Sequence, residues 1–157
     1  GADKVAVNTG LVEVPGFVRQ VAERFGRQCV VASIDARRHP DGRLEVFTRS
    51  GTLGTGLDPV DVARRAEAEG AGEILLTSID RDGTLTGYDL ELTRRVSEAV
   101  SIPVIVSGGA SSAEDMVRGL REGGASAVAA ASVYHFTQLT PLEVKRHLRK
   151  AGFPVRL

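Results

Sequence analysis

Short apolar runs rich in β-branched residues alternate along the chain with stretches whose apolar positions recur three and four residues apart. Five runs read as strands: Lys4 to Asn8, Gln28 to Ile34, Glu73 to Ser78, Pro103 to Ser107 and Ser126 to Ala131. Strands alternating with helical stretches are the pattern of βαβ units around a parallel sheet. The first helix is predicted from Val14-Pro15-Gly16 to about Phe25, with Pro15 near its first turn and Val18, Val21, Ala22 and Phe25 on one face. Further helices are predicted to open at Leu57-Asp58-Pro59, at Tyr88-Asp89, at Ser111 or Ser112, and at Thr140-Pro141, the last ending near Gly152. These starts carry residues that cap the free N–H groups of a first turn, or a proline that has no such group to lose.

Two features interrupt or repeat this rhythm. Between Arg37 and Gly56 the turn His39-Pro40-Asp41-Gly42 separates Asp35-Ala36 from Leu44-Glu45-Val46-Phe47-Thr48, which predicts a small hairpin over the strand ends. A Gly-Ala step also precedes several strands, at Gly1-Ala2, Gly70-Ala71 and Gly124-Ala125. Aligning Gly1 to Thr9 with Gly124 to Ser132 gives a shared Gly-Ala-x-x-Val-Ala core, which predicts an internal repeat spanning most of the chain.

Composition narrows the class. In 157 residues, 42% are apolar, only 4% are aromatic and 18 are glycine, so the core is Val, Ala, Ile and Leu, the filling of a buried parallel sheet. Lys plus Arg (20) equals Asp plus Glu (20), so no overall field favours nucleic acid or an anionic membrane, and an anionic ligand must be held by local geometry. Cys29 is the only cysteine, which excludes an internal disulfide and a CxxC motif and fits a reducing, cytoplasmic setting. No apolar run approaches the ~20 residues of a membrane span. Because a strand-like run follows the first residues at once, the chain is expected to begin in mid-fold.

In barrels and open α/β sheets ligands collect where strands hand over to helices. That rule selects Asn8, Asp35, Thr77, Asp82, Ser107 and Ser132. The stretch Val106-Ser107-Gly108-Gly109-Ala110-Ser111-Ser112 puts paired glycines between a buried strand and a helix start, so free N–H groups can face a phosphate; a plain tight turn is the alternative. Ser132 ends the next strand in the same way, where it is either a second part of that phosphate site or an ordinary helix cap. Asp35 follows an apolar strand, and partial burial there would raise its pKa toward acid or base duty; the other reading is a turn-forming Asp beside Arg37 and Arg38. The acidic turn Ser78 to Thr84 lacks the ligand spacing and closing Glu of a calcium loop. His39, His135 and His147 match no zinc spacing, and no G-x-S-x-G elbow is present, so no metal or cofactor is expected.

These residues resemble one family. Gly1-Ala2-Asp3-Lys4-Val5, Ala32 to Arg37, Gly70 to Thr84, Ser107-Gly108-Gly109 and Ala131 to Phe136 occur in the order found in the cyclase subunit of imidazole glycerol phosphate synthase. The resemblance implies an α/β chain of about five βα units, a partial (βα)8 TIM barrel running from the fourth strand to the end, with the first three units absent. A complete barrel takes about 250 residues.

By the same resemblance the family cyclises a phosphorylated ribotide with ammonia from a glutaminase partner, using two aspartates as acid and base. One of them matches Asp35, and the other belongs to the missing first strand. Asn8 and Thr77 would line the substrate. Gly83, Ser107, Gly108, Gly109 and Ser132 would belong to the phosphate site. Lys4 and Glu73 would form half of a salt-bridged ammonia gate, with Asp3 at the glutaminase-facing end. An isolated chain of this kind is expected to be inactive and to cover its open strand edges with an N-terminal half or a second copy. A non-catalytic phosphate-binding module that self-associates is the alternative.

Overall fold

The computed structural model describes residues 1–157, and its centre is one seven-stranded sheet. Strands β1 (Val5–Val7), β2 (Val30–Arg38), β3 (Leu44–Thr48), β4 (Leu53–Gly54), β5 (Glu73–Ser78), β6 (Val104–Ser107) and β7 (Ala127–Val128) appear in chain order. Five of them, β1, β2, β5, β6 and β7, run parallel. These are the five expected from the sequence. The fold is α/β, with a mostly parallel sheet consistent with a partial TIM-barrel-like (βα) arrangement.

The helices are α1 (Thr9–Glu13), α2 (Phe17–Phe25), α3 (Pro59–Glu69), α4 (Leu90–Ser97), α5 (Ala113–Arg121), α6 (Ser132–Phe136) and α7 (Pro141–Lys150). Their starts follow the predicted caps. Asp58 accepts from the Val60 N–H, Asp89 from Leu92, and Ser112 from Asp115. Thr140 and Glu143 form a reciprocal capping box. At α2, Gly16 adopts a left-handed φ of 72°, so Pro15 stays in the preceding turn and the helix opens at Phe17, later than expected.

Strand lengths depart from the sequence reading where pairing partners decide them. β2 runs to Arg38, past the predicted Ile34, because the predicted hairpin supplies β3 as an antiparallel partner with Asp35 opposite Phe47. The segment after Arg27 first makes a short 3-10 turn, Arg27–Cys29, which delays β2 to Val30. β7 shrinks to two residues because it has one neighbour, β6, although the Ala129 N–H still reaches the Val106 carbonyl. Helix α1 and the short β4 were not foreseen.

Alternate residues of each central strand serve opposite faces. Ile74, Leu76 and Ser78 of β5 are buried, whereas Glu73, Leu75 and Thr77 are only half-buried. The buried set packs with Ile34, Val62, Ala66, Leu92 and Val104 under α3 and α4. A second cluster, with Val106, Met116, Val117, Val144 and Leu148, joins β6 to α5 and α7. The helices therefore cover one sheet face; the other carries the half-buried Leu75 and Ile105, with Asp35, Thr77 and Ser107 nearer the carboxyl ends of the strands.

The two aligned segments have similar local structure. β1 leads into the five-residue helix α1 at Thr9, and β7 leads into the five-residue helix α6 at Ser132, the residue aligned with Thr9. The longer helices α2 and α7 follow in matching order.

Candidate functional site

The parallel register of β2, β5 and β6 places Asp35 beside Thr77, and Thr77 beside Ser107. All three are half-buried and lie on the face turned away from the helices that pack on Ile74 and Leu76. Burial pushes the Asp35 carboxyl above its ordinary value; a hydrogen bond from the Ser33 hydroxyl, 3.5 Å away, opposes this, and the negative charge of Asp82 adds to it. Asp35 therefore holds a proton to higher pH than a free aspartate.

Asn8 closes one side of this row. Its side-chain amide donates to the Ser33 carbonyl at 3.2 Å and to the Phe47 carbonyl at 3.0 Å, joining the end of β1 to both β2 and β3. Both donors are committed to backbone. The β3–β4 hairpin is held in place above the strands. Arg49 pairs with Glu13 of α1 at 2.9 Å, its backbone N–H donates to the Thr9 hydroxyl at 3.2 Å, and the Thr48 hydroxyl donates to Glu13 at 3.0 Å. Hydrogen bonds from Arg49, then Thr48, hold the Glu13 carboxyl below the usual carboxylate range.

Beside the row lies a cavity of about 160 Å³, lined by Asp82, Gly83, Ser107, Gly108, Gly109 and Ser132 together with small alanines. Gly108 and Gly109 have left-handed φ values of 91° and 101°. A Cβ on Gly108 would stand 2.7 Å from the Ser78 carbonyl, and one on Gly109 would collide with the Gly87 carbonyl. These close approaches require glycine at both positions, and the loop borders the hollow. Paired left-handed glycines ahead of a helix N-terminus are a backbone geometry that can present N–H groups to an anion. Ser132 is the first residue of α6 and the cap position before it belongs to Ala131, so Ser132 is not the helix cap.

Sequence reasoning had picked out Asp82 by position but gave it no role; the structure sets its carboxylate on the cavity wall and within electrostatic reach of Asp35. In the sequence Tyr88 stands only as the residue before a helix start. Its buried hydroxyl donates to the Ala129 carbonyl at 2.9 Å, which supports the wall formed by Ala129 to Ser132, and burial pushes its own pKa up. The signal was one of only two tyrosines in a chain poor in aromatics, placed where a buried polar tip needs a partner. In the acidic turn, Asp80 accepts from the Arg38 backbone N–H at 2.6 Å and faces the Arg37 guanidinium at 3.8 Å, so its carboxylate serves the hairpin.

Lys4 and Glu73 form an ion pair at the opposite, amino-terminal end of the sheet, with Glu73 in register with Val31. They are separate from the Asp35 row and from the cavity. The candidate residues thus divide into three places: Asn8, Asp35 and Thr77 along the strand ends; Gly83, Ser107, Gly108, Gly109 and Ser132 in the cavity, with Ser107 shared between the two; and the Lys4–Glu73 pair at the far end.

No helix is long and apolar enough to cross a membrane. A family model described as "Histidine biosynthesis protein" matches residues 1–140.

Proposed function

The chain belongs to the histidine biosynthesis protein family, and from that footing we propose that it corresponds to the cyclase subunit of imidazole glycerol phosphate synthase from the fourth barrel strand onward. The observation that carries the proposal is the row Asp35, Thr77 and Ser107, which runs straight into the cavity containing Gly108 and Gly109. A phosphorylated ribotide needs such a combination: an anchor for its phosphate and a carboxyl that exchanges protons at the reacting end.

In this reading the phosphate is seated by N–H groups of the Gly108–Gly109 loop and by the Ser107 and Ser132 hydroxyls. Thr77 and Asn8 orient the substrate along the strand ends. Asp35 moves the proton, its burial keeping the charged and neutral forms closer in energy than in water. Ammonia enters from the Lys4–Glu73 end, where a glutaminase subunit would dock. The second acid–base aspartate belongs to the barrel's first strand, outside residues 1–157, so turnover requires the complementary portion of the barrel.

The test is ammonium-dependent turnover of the ribotide by this chain alone and mixed with a polypeptide carrying the first three βα units. Imidazole glycerol phosphate formed by the mixture alone supports the proposal. Phosphate binding without turnover in either sample would favour a non-catalytic phosphate-binding module instead.

A further inference from the structure

Resting on the phosphate-site reading above, we propose that Arg81 is a positioning residue that holds the β5–α4 loop against the glycine loop and thereby shapes the anion cradle. The acidic turn containing Arg81 was not explained by the proposed chemistry. Its neighbours Asp82 and Gly83 line the cavity, but Arg81 lines a separate hollow of about 430 Å³ on the other side of the same loop, with Arg38, Gly87, Asp89, Asp115 and Arg118.

Arg81 takes backbone carbonyls, rather than a carboxylate, as its partners. One guanidinium nitrogen donates to the Thr86 carbonyl at 3.2 Å and to the Gly87 carbonyl at 3.3 Å. Gly87 is the residue that touches the cradle from behind. Its N–H donates to the Gly109 carbonyl at 2.7 Å, and its own carbonyl packs against the Cα of Gly109, where a Cβ would collide. The stem of Arg81 closes on the same spot, because a Cβ on Gly109 would come within 2.9 Å of the Arg81 Cβ.

The loop also turns back on Arg81 itself. The Thr84 N–H and hydroxyl both donate to the Arg81 carbonyl, at 3.0 and 2.7 Å, and the Thr84 and Thr86 hydroxyls meet at 2.7 Å. Leu85, in the same loop, lines the cavity with a left-handed φ of 56°, a conformation a leucine keeps only when its surroundings impose it. A cationic donor on two successive carbonyls provides that constraint, since hydrogen bonds to charged groups are the stronger ones. An anion site made of backbone N–H groups depends on those groups being fixed before the ligand arrives.

The experiment uses the whole chain and inorganic phosphate as probe, with Arg81→Met, which keeps the stem, and Arg81→Lys, which keeps a cationic donor. Phosphate affinity is measured by calorimetric titration, and exchange of the Gly87 amide hydrogen by NMR. Arg81→Met is expected to weaken phosphate by about tenfold and to speed Gly87 exchange, while amides of β5 and β6 keep their protection. Arg81→Lys is expected to recover part of both. Unchanged phosphate affinity, or unchanged Gly87 protection, in Arg81→Met overturns the inference and leaves the phosphate site standing. Should Arg81→Met fail to fold, Arg81→Lys decides: a loss of about threefold with faster Gly87 exchange supports the role, and unaltered values overturn it. If the unaltered chain does not bind phosphate, the phosphate-site reading falls and this inference falls with it.

Discussion

Asp35 and Thr77 are direct neighbours across the parallel β2–β5 pair, on the sheet face that the main helices leave uncovered. This relationship makes a strand-end carboxylate part of a polar row rather than an isolated turn residue, and it sets up a conflict between stability and chemistry at Asp35.

Burial raises the Asp35 pKa, so the folded state binds its proton more tightly than the unfolded chain does. Ionising it therefore costs stability: the cost is absent well below the ordinary value of 3.8, grows as pH rises through the window above it, and is complete above the folded pKa. Asp35→Asn should raise the melting temperature at pH 7 by roughly 1–3 °C. The gap from the unaltered chain should close as melts are repeated toward acid pH. A variant less stable at pH 7 would contradict the assigned burial cost.

The glycine loop should tolerate no side chain. Gly109→Ala forces a left-handed φ of 101° on alanine and drives its Cβ into the Gly87 carbonyl, so a loss of about 2 kcal/mol or more is expected by urea unfolding, together with loss of phosphate binding. Gly83→Ala is the control. Its φ of 77° is also left-handed but its Cβ meets open space, so it should cost only about 1 kcal/mol.

Tyr88→Phe removes the hydroxyl that holds the Ala129 carbonyl and leaves the ring in its buried seat. The expected cost is about 1 kcal/mol in the same unfolding assay, with weaker phosphate binding because the Ala129–Ser132 wall is released.

Lys4→Ala should behave differently from every change at the strand ends. The Lys4–Glu73 pair is solvent-accessible, at 47% and 25% side-chain exposure, and such pairs contribute less than about 1 kcal/mol. Stability should change little, the small difference should shrink with added salt, and phosphate titration should be unaffected.

The parallel strands, the hairpin and the helix caps were legible because each rests on local chemistry: alternating apolar runs, the His39-Pro40-Asp41-Gly42 turn, and Asp58, Asp89, Ser112 and Thr140 ahead of helical spacing. The aligned segments Gly1–Thr9 and Gly124–Ser132 both end where a five-residue helix begins. What escaped depended on distant partners. β2 outran its apolar stretch because β3 accepted its polar end, and β7 stopped short for want of a second neighbour. Within the site, Asp35 and the Gly108–Gly109 loop could be read from position. The carbonyl duties of Tyr88 and Arg81 could not, since both bind backbone that only the folded chain brings near.

The central claim is that Asp35 and the adjoining cradle perform cyclase chemistry once the barrel is complete. The most direct measurement compares ammonium-dependent formation of imidazole glycerol phosphate by the complemented assembly with and without Asp35→Asn, after confirming that both assemblies bind phosphate equally. The account predicts product with the unaltered chain and a rate at least about a hundredfold lower with Asp35→Asn. Equal rates from the two assemblies would contradict it.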